Sequence, residues 1–157
     1  KFIRGKFHDF KFRGKSYLYK AFGEMLIDTI KTKKIDDKIE AIIFVPAHRR
    51  KEALRGYNQS ELLGSYIAKR LDIPLLDKHL IKTRWTIDQN RLGKMERRKN
   101  LKDSFKTIKL EDFKSKQILL VDDIITTGTT MEECGRVLLE AGVRKVYGLA
   151  LTSSMKL

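Results

Sequence analysis

Two short runs are apolar at nearly every position: "AIIFV", residues 41–45, and "QILLV", residues 117–121. A strand with one face in water alternates apolar and polar residues, so a run without alternation is buried on both faces. Pro46 stops the first run, since proline cannot donate to a ladder. "KVYGLALTS", Lys145–Ser153, reads as a third strand, and "DIPLL", residues 72–76, as another extended piece. Helical spacing fills the intervals. Residues 17–31 carry Leu18, Phe22, Met25, Leu26 and Ile30, and Gln59–Leu71 carries Leu62, Leu63, Tyr66, Ile67 and Leu71. A third helix over 129–141 ends at Gly142, the residue type suited to the position after a helix. Buried strands alternating with helices predict an α/β fold with a mostly parallel central sheet and helices on both faces.

The segment 84–100 is long, polar and weakly periodic, so it is expected as a mobile loop or a poor helix. A loop of that length inside a compact domain is usually functional or disordered. With 157 residues, one compact domain is expected. Within it, residues 1–35 form a basic, aromatic arm plus the first helix, and residues 36–157 the core.

Several classes are set aside by composition. No apolar stretch approaches the ~20 residues of a membrane span, and the basic, aromatic start "KFIRGKFHDF" lacks the apolar centre of a signal peptide. A cytoplasmic protein without membrane insertion is the expectation. The single cysteine, Cys134, excludes an internal disulfide and a cysteine-based zinc site. Its helical neighbours Met131, Leu138 and Ala141 make it a core residue. The net charge of +14 is partly a solvated basic surface, and it also suits a phosphate-rich partner. Lys1, Arg4, Lys6, Lys11, Arg13, Lys15 and Lys20 stand against the single acid Asp9 in the first twenty residues.

The chemistry concentrates in "VDDIITTGTT", residues 121–130. Strand, short polar loop and helix follow one another, and in open α/β sheets ligands bind beyond the carboxyl ends of strands. The helix start offers free N–H groups to a phosphate. Thr126, Thr127, Thr129 and Thr130 add hydroxyl donors, and Gly128 lets the backbone approach closely or turn with positive φ. Asp122 and Asp123 cannot hold phosphate, but carboxylates at a strand end suit vicinal hydroxyls. A ribose phosphate combines both needs. The run lacks Gly-Lys-Thr, so it is not a Walker A loop.

This run resembles the phosphoribosyl pyrophosphate (PRPP) signature of type I phosphoribosyltransferases. The resemblance implies that fold with a mobile hood loop, Asp122 and Asp123 on the ribose hydroxyls, and Thr126, Thr127, Gly128, Thr129 and Thr130 around the 5′-phosphate. "FVPAHRRKEALRGYNQSELL", residues 44–63, resembles the ComF competence-protein family. Here Ala47, His48, Arg49, Arg50 and Arg55 would form the loop for pyrophosphate, arginine being suited to multidentate phosphate contacts. Thr86, Gln89, Leu92, Arg97, Asn100 and Phe105 keep the same family's spacing, and "KFHDFKFRG", residues 6–14, resembles the segment before its transferase domain. Asp88 and Ser104 depart from the family's common residues. The four-cysteine zinc region typical of ComF proteins is absent from this chain, which implies a shortened chain or a member without that region.

What the resemblance implies is binding of PRPP with Mg²⁺, and displacement of pyrophosphate at the anomeric carbon by an unknown acceptor. Asp122, Asp123 and Arg97 would serve catalysis, the two acids meeting the metal only through ribose or water. The loop over 84–100 would close on the site, and Arg91, Lys94 and Arg97 would face the departing charge. The role implied is DNA uptake in natural competence, beside a helicase-like protein. The alternative is a non-catalytic single-stranded DNA-binding competence factor on the same scaffold. Its contacts would be Arg4, Lys6, Lys11 and Arg13 among stacking aromatics.

Overall fold

The computed structural model of the chain describes residues 16–48, 52–53, 56–86 and 94–153. A 3-10 turn, Ser16–Leu18, leads into α1 (Tyr19–Thr32). There follow β1 (Ala41–Phe44), α2 (Gln59–Leu71), β2 (Leu80–Lys82), α3 (Lys94–Leu101), β3 (Phe105–Thr107), β4 (Gln117–Ile125), α4 (Thr129–Glu140) and β5 (Lys145–Ser153). The main sheet has the order β1-β4-β5 and is parallel throughout. The extended "DIPLL" piece lies along the outer edge of β1: Ile42 N–H donates to Pro74 O at 2.8 Å, and Leu76 N–H to Ile42 O at 2.9 Å.

The pleat explains why the central strands are apolar at every position. Ile118 and Leu120 of β4 pack with Ala41, Ile43 and with Cys134, Val137 and Leu138 of α4. Leu119 and Val121 face the other way, onto Ile42, Phe22, Leu26 and Ile30 of α1, and Leu63 and Ile67 of α2. Successive side chains of a strand point to opposite faces, so helices cover both, as the run pattern predicts. Fully burying one such Leu or Ile is worth about 1.5–3 kcal/mol, and most of these residues are fully enclosed.

Helix ends follow local chemistry. Asn58 caps α2 by accepting Ser60 N–H at 3.0 Å. At the end of α4, Gly142 (φ +96°) permits the paired bonds Gly142 N–H to Leu139 O and Val143 N–H to Leu138 O, the left-handed closure that glycine favours.

One element differs from the sequence reading. The strand predicted over 117–121 continues to Ile125, because β5 keeps pairing with it through Asp122↔Ala150, Ile124↔Thr152 and Ile125↔Ser153. The two acids therefore sit inside the strand. Of the two readings of 84–100, loop or poor helix, the described residues at its end take the helix. α3 occupies Lys94–Leu101, and the antiparallel pair β2–β3 forms its stem. Arg84 Nη2 donates to Asn100 O (3.2 Å) and Lys102 O (2.9 Å), satisfying carbonyls that a helix end leaves open. Leu80, Leu101 and Phe105 anchor the stem in the core on the α4 side. Among the described residues no helix is long and apolar enough to cross a membrane.

Candidate functional site

β4 carries Asp122 and Asp123 past the end of β1, whose pairing stops at Phe44↔Val121. Both aspartates are buried. Asp122 Oδ1 accepts two bonds, from Ser60 Oγ at 3.0 Å and from the backbone N–H of Asp123 at 2.8 Å. Its negative charge is felt below: burial pushes the Cys134 thiol well up, and the charge of Asp122 adds to that shift. Cys134 is thus a core residue under the site, as its helical neighbours predict.

The polar loop 126–128 turns the chain into α4. Gly128, at φ +79°, is the cap residue, a conformation that costs a residue with a Cβ about 1–2 kcal/mol. Gly128 O accepts Glu132 N–H at 2.8 Å. The Thr127 and Thr129 hydroxyls lie 2.9 Å apart. Asp122, Thr126, Gly128, Thr129 and Thr130 line one cleft with Ile124, Ile125 and Met131. A carboxylate at the strand edge and the first turn of α4 thus open onto the same space. Asp123 and Thr127 do not line it. For Asp123 the reason is the strand itself, which turns adjacent side chains to opposite faces.

Of the loop after β1, Ala47 and His48 line a second cavity of about 660 Å³, together with Asn58, Glu61, Lys82 and others. Glu61 there has its carboxyl pushed up by burial and by the neighbouring charges of Glu52 and Asp77. The His48 ring meets Trp85 edge to face, centroids 5.0 Å apart, so this loop touches the stem of the 84–100 segment. Arg49, Arg50 and Arg55 lie outside the described residues, as do Arg4, Lys6, Lys11, Arg13 and Arg91. Arg97 lies in α3, with its side chain outside the description, and so does that of Lys94.

Asn58 and Ser60 are site residues the sequence reading passed over. Asn58 was visible as a helix-capping type just before a periodic run. Nothing local marks Ser60, whose partner is 62 residues away.

Among the described residues no three His, Cys, Asp or Glu side chains converge to hold a metal ion. The donor set nonetheless fits a magnesium ion that arrives on a phosphorylated ligand. Mg²⁺ commonly keeps water and substrate phosphate oxygens, with one or two carboxylates nearby.

A parallel α/β sheet with an acid-bearing strand leading into a Thr/Gly loop and helix defines a class. The family model of the phosphoribosyl transferase domain matches residues 58–152, and the chain belongs to that family. Within it, the chain is 34% identical over 147 residues to competence protein F of Haemophilus influenzae, covering 90% of this chain and 64% of that protein. It is also similar to competence protein ComFC of Bacillus subtilis, 31% identical over 133 residues, 85% of this chain and 52% of that one. The chain thus spans less than two thirds of the length of these relatives. Among solved structures, adenine phosphoribosyltransferase from Trypanosoma brucei, in complex with AMP, pyrophosphate and ribose-5-phosphate, aligns with a TM-score of 0.53. That alignment has 19% identity and covers 87% of this chain and 52% of that one. This last likeness is one of fold. The resemblance to ComF proteins and the type I phosphoribosyltransferase architecture read from the sequence both hold.

Proposed function

We propose that the chain binds PRPP together with Mg²⁺ and acts in DNA uptake, transferring the phosphoribosyl group to an acceptor. One observation carries this reading: buried Asp122 lines the same cleft as Thr126, Gly128, Thr129 and Thr130 of the loop at the start of α4. The backbone N–H groups and threonine hydroxyls of that loop hold the 5′-phosphate. Asp122 accepts from the ribose hydroxyls, with Asp123 beside it in the chain. Bound magnesium supplies charge neutralisation on pyrophosphate. The chain's own part is orientation. It fixes the ribose against the acids so that the anomeric carbon faces the loop after β1, where Ala47, His48, Arg49, Arg50 and Arg55 receive pyrophosphate. Bringing the 84–100 segment, with Arg97, over the cleft excludes water. The role in DNA uptake rests on the names of the relatives, competence protein F and ComFC.

The test is calorimetric titration with PRPP and Mg²⁺, with ribose-5-phosphate and pyrophosphate as controls. Saturable, magnesium-dependent binding is expected, and it should be lost in the folded double variant Asp122→Asn, Asp123→Asn. Equal affinity in that variant sinks the reading.

The second reading is a single-stranded DNA-binding factor on the same scaffold, favoured by the net charge of +14 and the basic start of the chain. It expects DNA affinity that persists at about 150 mM salt, where surface charges are screened beyond ~8 Å. That affinity should fall when Arg4, Lys6, Lys11 and Arg13 are neutralised.

A further inference from the structure

Asp122 is not held by its own strand alone. Ser60, in the first turn of α2, donates its hydroxyl to Asp122 Oδ1 at 3.0 Å, and both residues are buried. The same oxygen accepts the Asp123 N–H at 2.8 Å. Two donors on one oxygen of a carboxylate leave its plane little freedom to rotate, and hydrogen bonds to an ionised group are about twice as strong as neutral ones. Ser60 is itself fixed. Its N–H is capped by Asn58 Oδ1 at 3.0 Å, and Asn58 Nδ2 donates to Val45 O at 3.2 Å. Val45 N–H in turn donates to Val121 O at 2.9 Å, one residue before the acid. The chain of bonds closes a ring: end of β1, start of α2, Ser60, Asp122, β4, and back to the end of β1.

The ring has a functional geometry. Residues 46–57 span its two anchor points, Val45 and Asn58, and they are the loop assigned to pyrophosphate. Asn58 lines the cavity that Ala47 and His48 line, whereas Asp122 lines the cleft of the Thr/Gly loop. The two cavities have no lining residue in common. The bonds from Asn58 through Ser60 to Asp122 join them.

We propose that Ser60 is a positioning residue: it aims the Asp122 carboxylate at the ribose and, through Asn58, sets that aim relative to the pyrophosphate loop. The proposal rests on the PRPP reading above and deepens it. Ser60 touches no substrate and acts only through Asp122. Its hydroxyl serves the ribose half of the ligand alone, because the cap that supports the pyrophosphate loop uses the Ser60 backbone N–H, which alanine keeps.

The experiment compares the full chain with Ser60→Ala and Ser60→Thr, titrating each with PRPP, ribose-5-phosphate and pyrophosphate in the presence of Mg²⁺. Thermal unfolding of each protein is followed alongside. The readout is the ratio of PRPP affinity to pyrophosphate affinity within one protein, which does not depend on the fraction folded. Ser60→Ala is expected to weaken PRPP and ribose-5-phosphate about tenfold, the scale of one hydrogen bond to a charged group. Pyrophosphate affinity should hold, and Ser60→Thr, which keeps the hydroxyl, should restore the ratio. A wild-type chain that binds PRPP while Ser60→Ala keeps the wild-type ratio overturns the positioning role and leaves the PRPP reading standing. Equal weakening of all three ligands also overturns it, since that is the mark of a merely structural residue. A wild-type chain that binds no PRPP brings down both.

Discussion

Arg98 Nη2 lies 3.2 Å from Glu132 Oε2, linking α3, the helix of the 84–100 segment, to α4, the helix that starts at the Thr/Gly loop. A second tie lies alongside: Asp103 N–H donates to Glu133 Oε1 at 3.0 Å. These two ties hold the described end of the segment against α4. Both partners of the ion pair are more than half exposed, and such pairs contribute about 0.2–1 kcal/mol. Arg98→Ala is expected to lower global stability by no more than ~1 kcal/mol, while amides of α3 exchange with solvent several-fold faster. Unchanged exchange in α3 would show that the pair does not hold the helix.

Gly128 and Gly135 make opposite predictions on one helix. Gly128 adopts φ +79° at the start of α4, so Gly128→Ala should cost about 1–2 kcal/mol and weaken ribose-5-phosphate binding by distorting the N–H cradle. Gly135 is a mid-helix residue, and a Cβ there would meet nothing within 4 Å. Gly135→Ala should stabilise by roughly 0.5–1 kcal/mol through helix propensity. Denaturant unfolding of the two variants gives the signs directly, and stabilisation by Gly128→Ala would mean the turn is not strained.

The packing of α1 on α2 turns on Gly23. A methyl added there would clash with the edge of the Tyr66 ring, while the Tyr66 hydroxyl donates to Glu24 and Arg70 donates to the same carboxylate at 2.9 Å. Alanine gains roughly 0.5–1 kcal/mol in propensity, but overpacking costs typically 1–3 kcal/mol, and the ring is held at both ends. Gly23→Ala is expected to destabilise on balance, and Tyr66→Leu in that background to recover part of the loss. A more stable Gly23→Ala protein would show that the two helices separate freely.

What the sequence made legible follows from how local each cause is. The bounds of α2 could be read because Leu62, Leu63, Tyr66, Ile67 and Leu71 recur at helical spacing, and the buried strands because two-sided burial removes alternation. The end of β4 could not. Asp122 and Asp123 look like the start of a loop, yet their strand is prolonged by pairing with Ala150 to Ser153, residues distant in sequence. β2 and β3 have three residues each, too few for a period-two pattern to emerge. The Thr/Gly loop and Asp122 were visible as types in order. The Ser60–Asp122 bond is tertiary, and only the fold brings the two together.

A pH dependence follows from Asp112, whose Oδ2 lies 2.6 Å from His79 Nε2 while Nδ1 of the same ring lies 2.7 Å from Asp77 O. This contact pins the turn at Leu110–Asp112 to the residue before β2. The hydrogen bond to His79 holds the Asp112 carboxyl below its usual value of 3.8, and the bond from Arg136 holds Glu133 below 4.5. A folded-state value below the unfolded one binds fewer protons in the native state. The stabilisation is therefore fully present above the unfolded value and is lost as pH falls through the folded one. For Asp112 that window opens below about pH 4 and leaves neutral pH untouched. Thermal unfolding of the wild type and of Asp112→Asn is compared from pH 5 downward, with the wild type expected higher at pH 5. The gap should narrow as pH falls through the folded-state value, because the Asp112 carboxyl then takes up a proton while the asparagine amide does not titrate. A gap that stays constant to pH 3 would show that the His79 contact contributes nothing through the charge of Asp112.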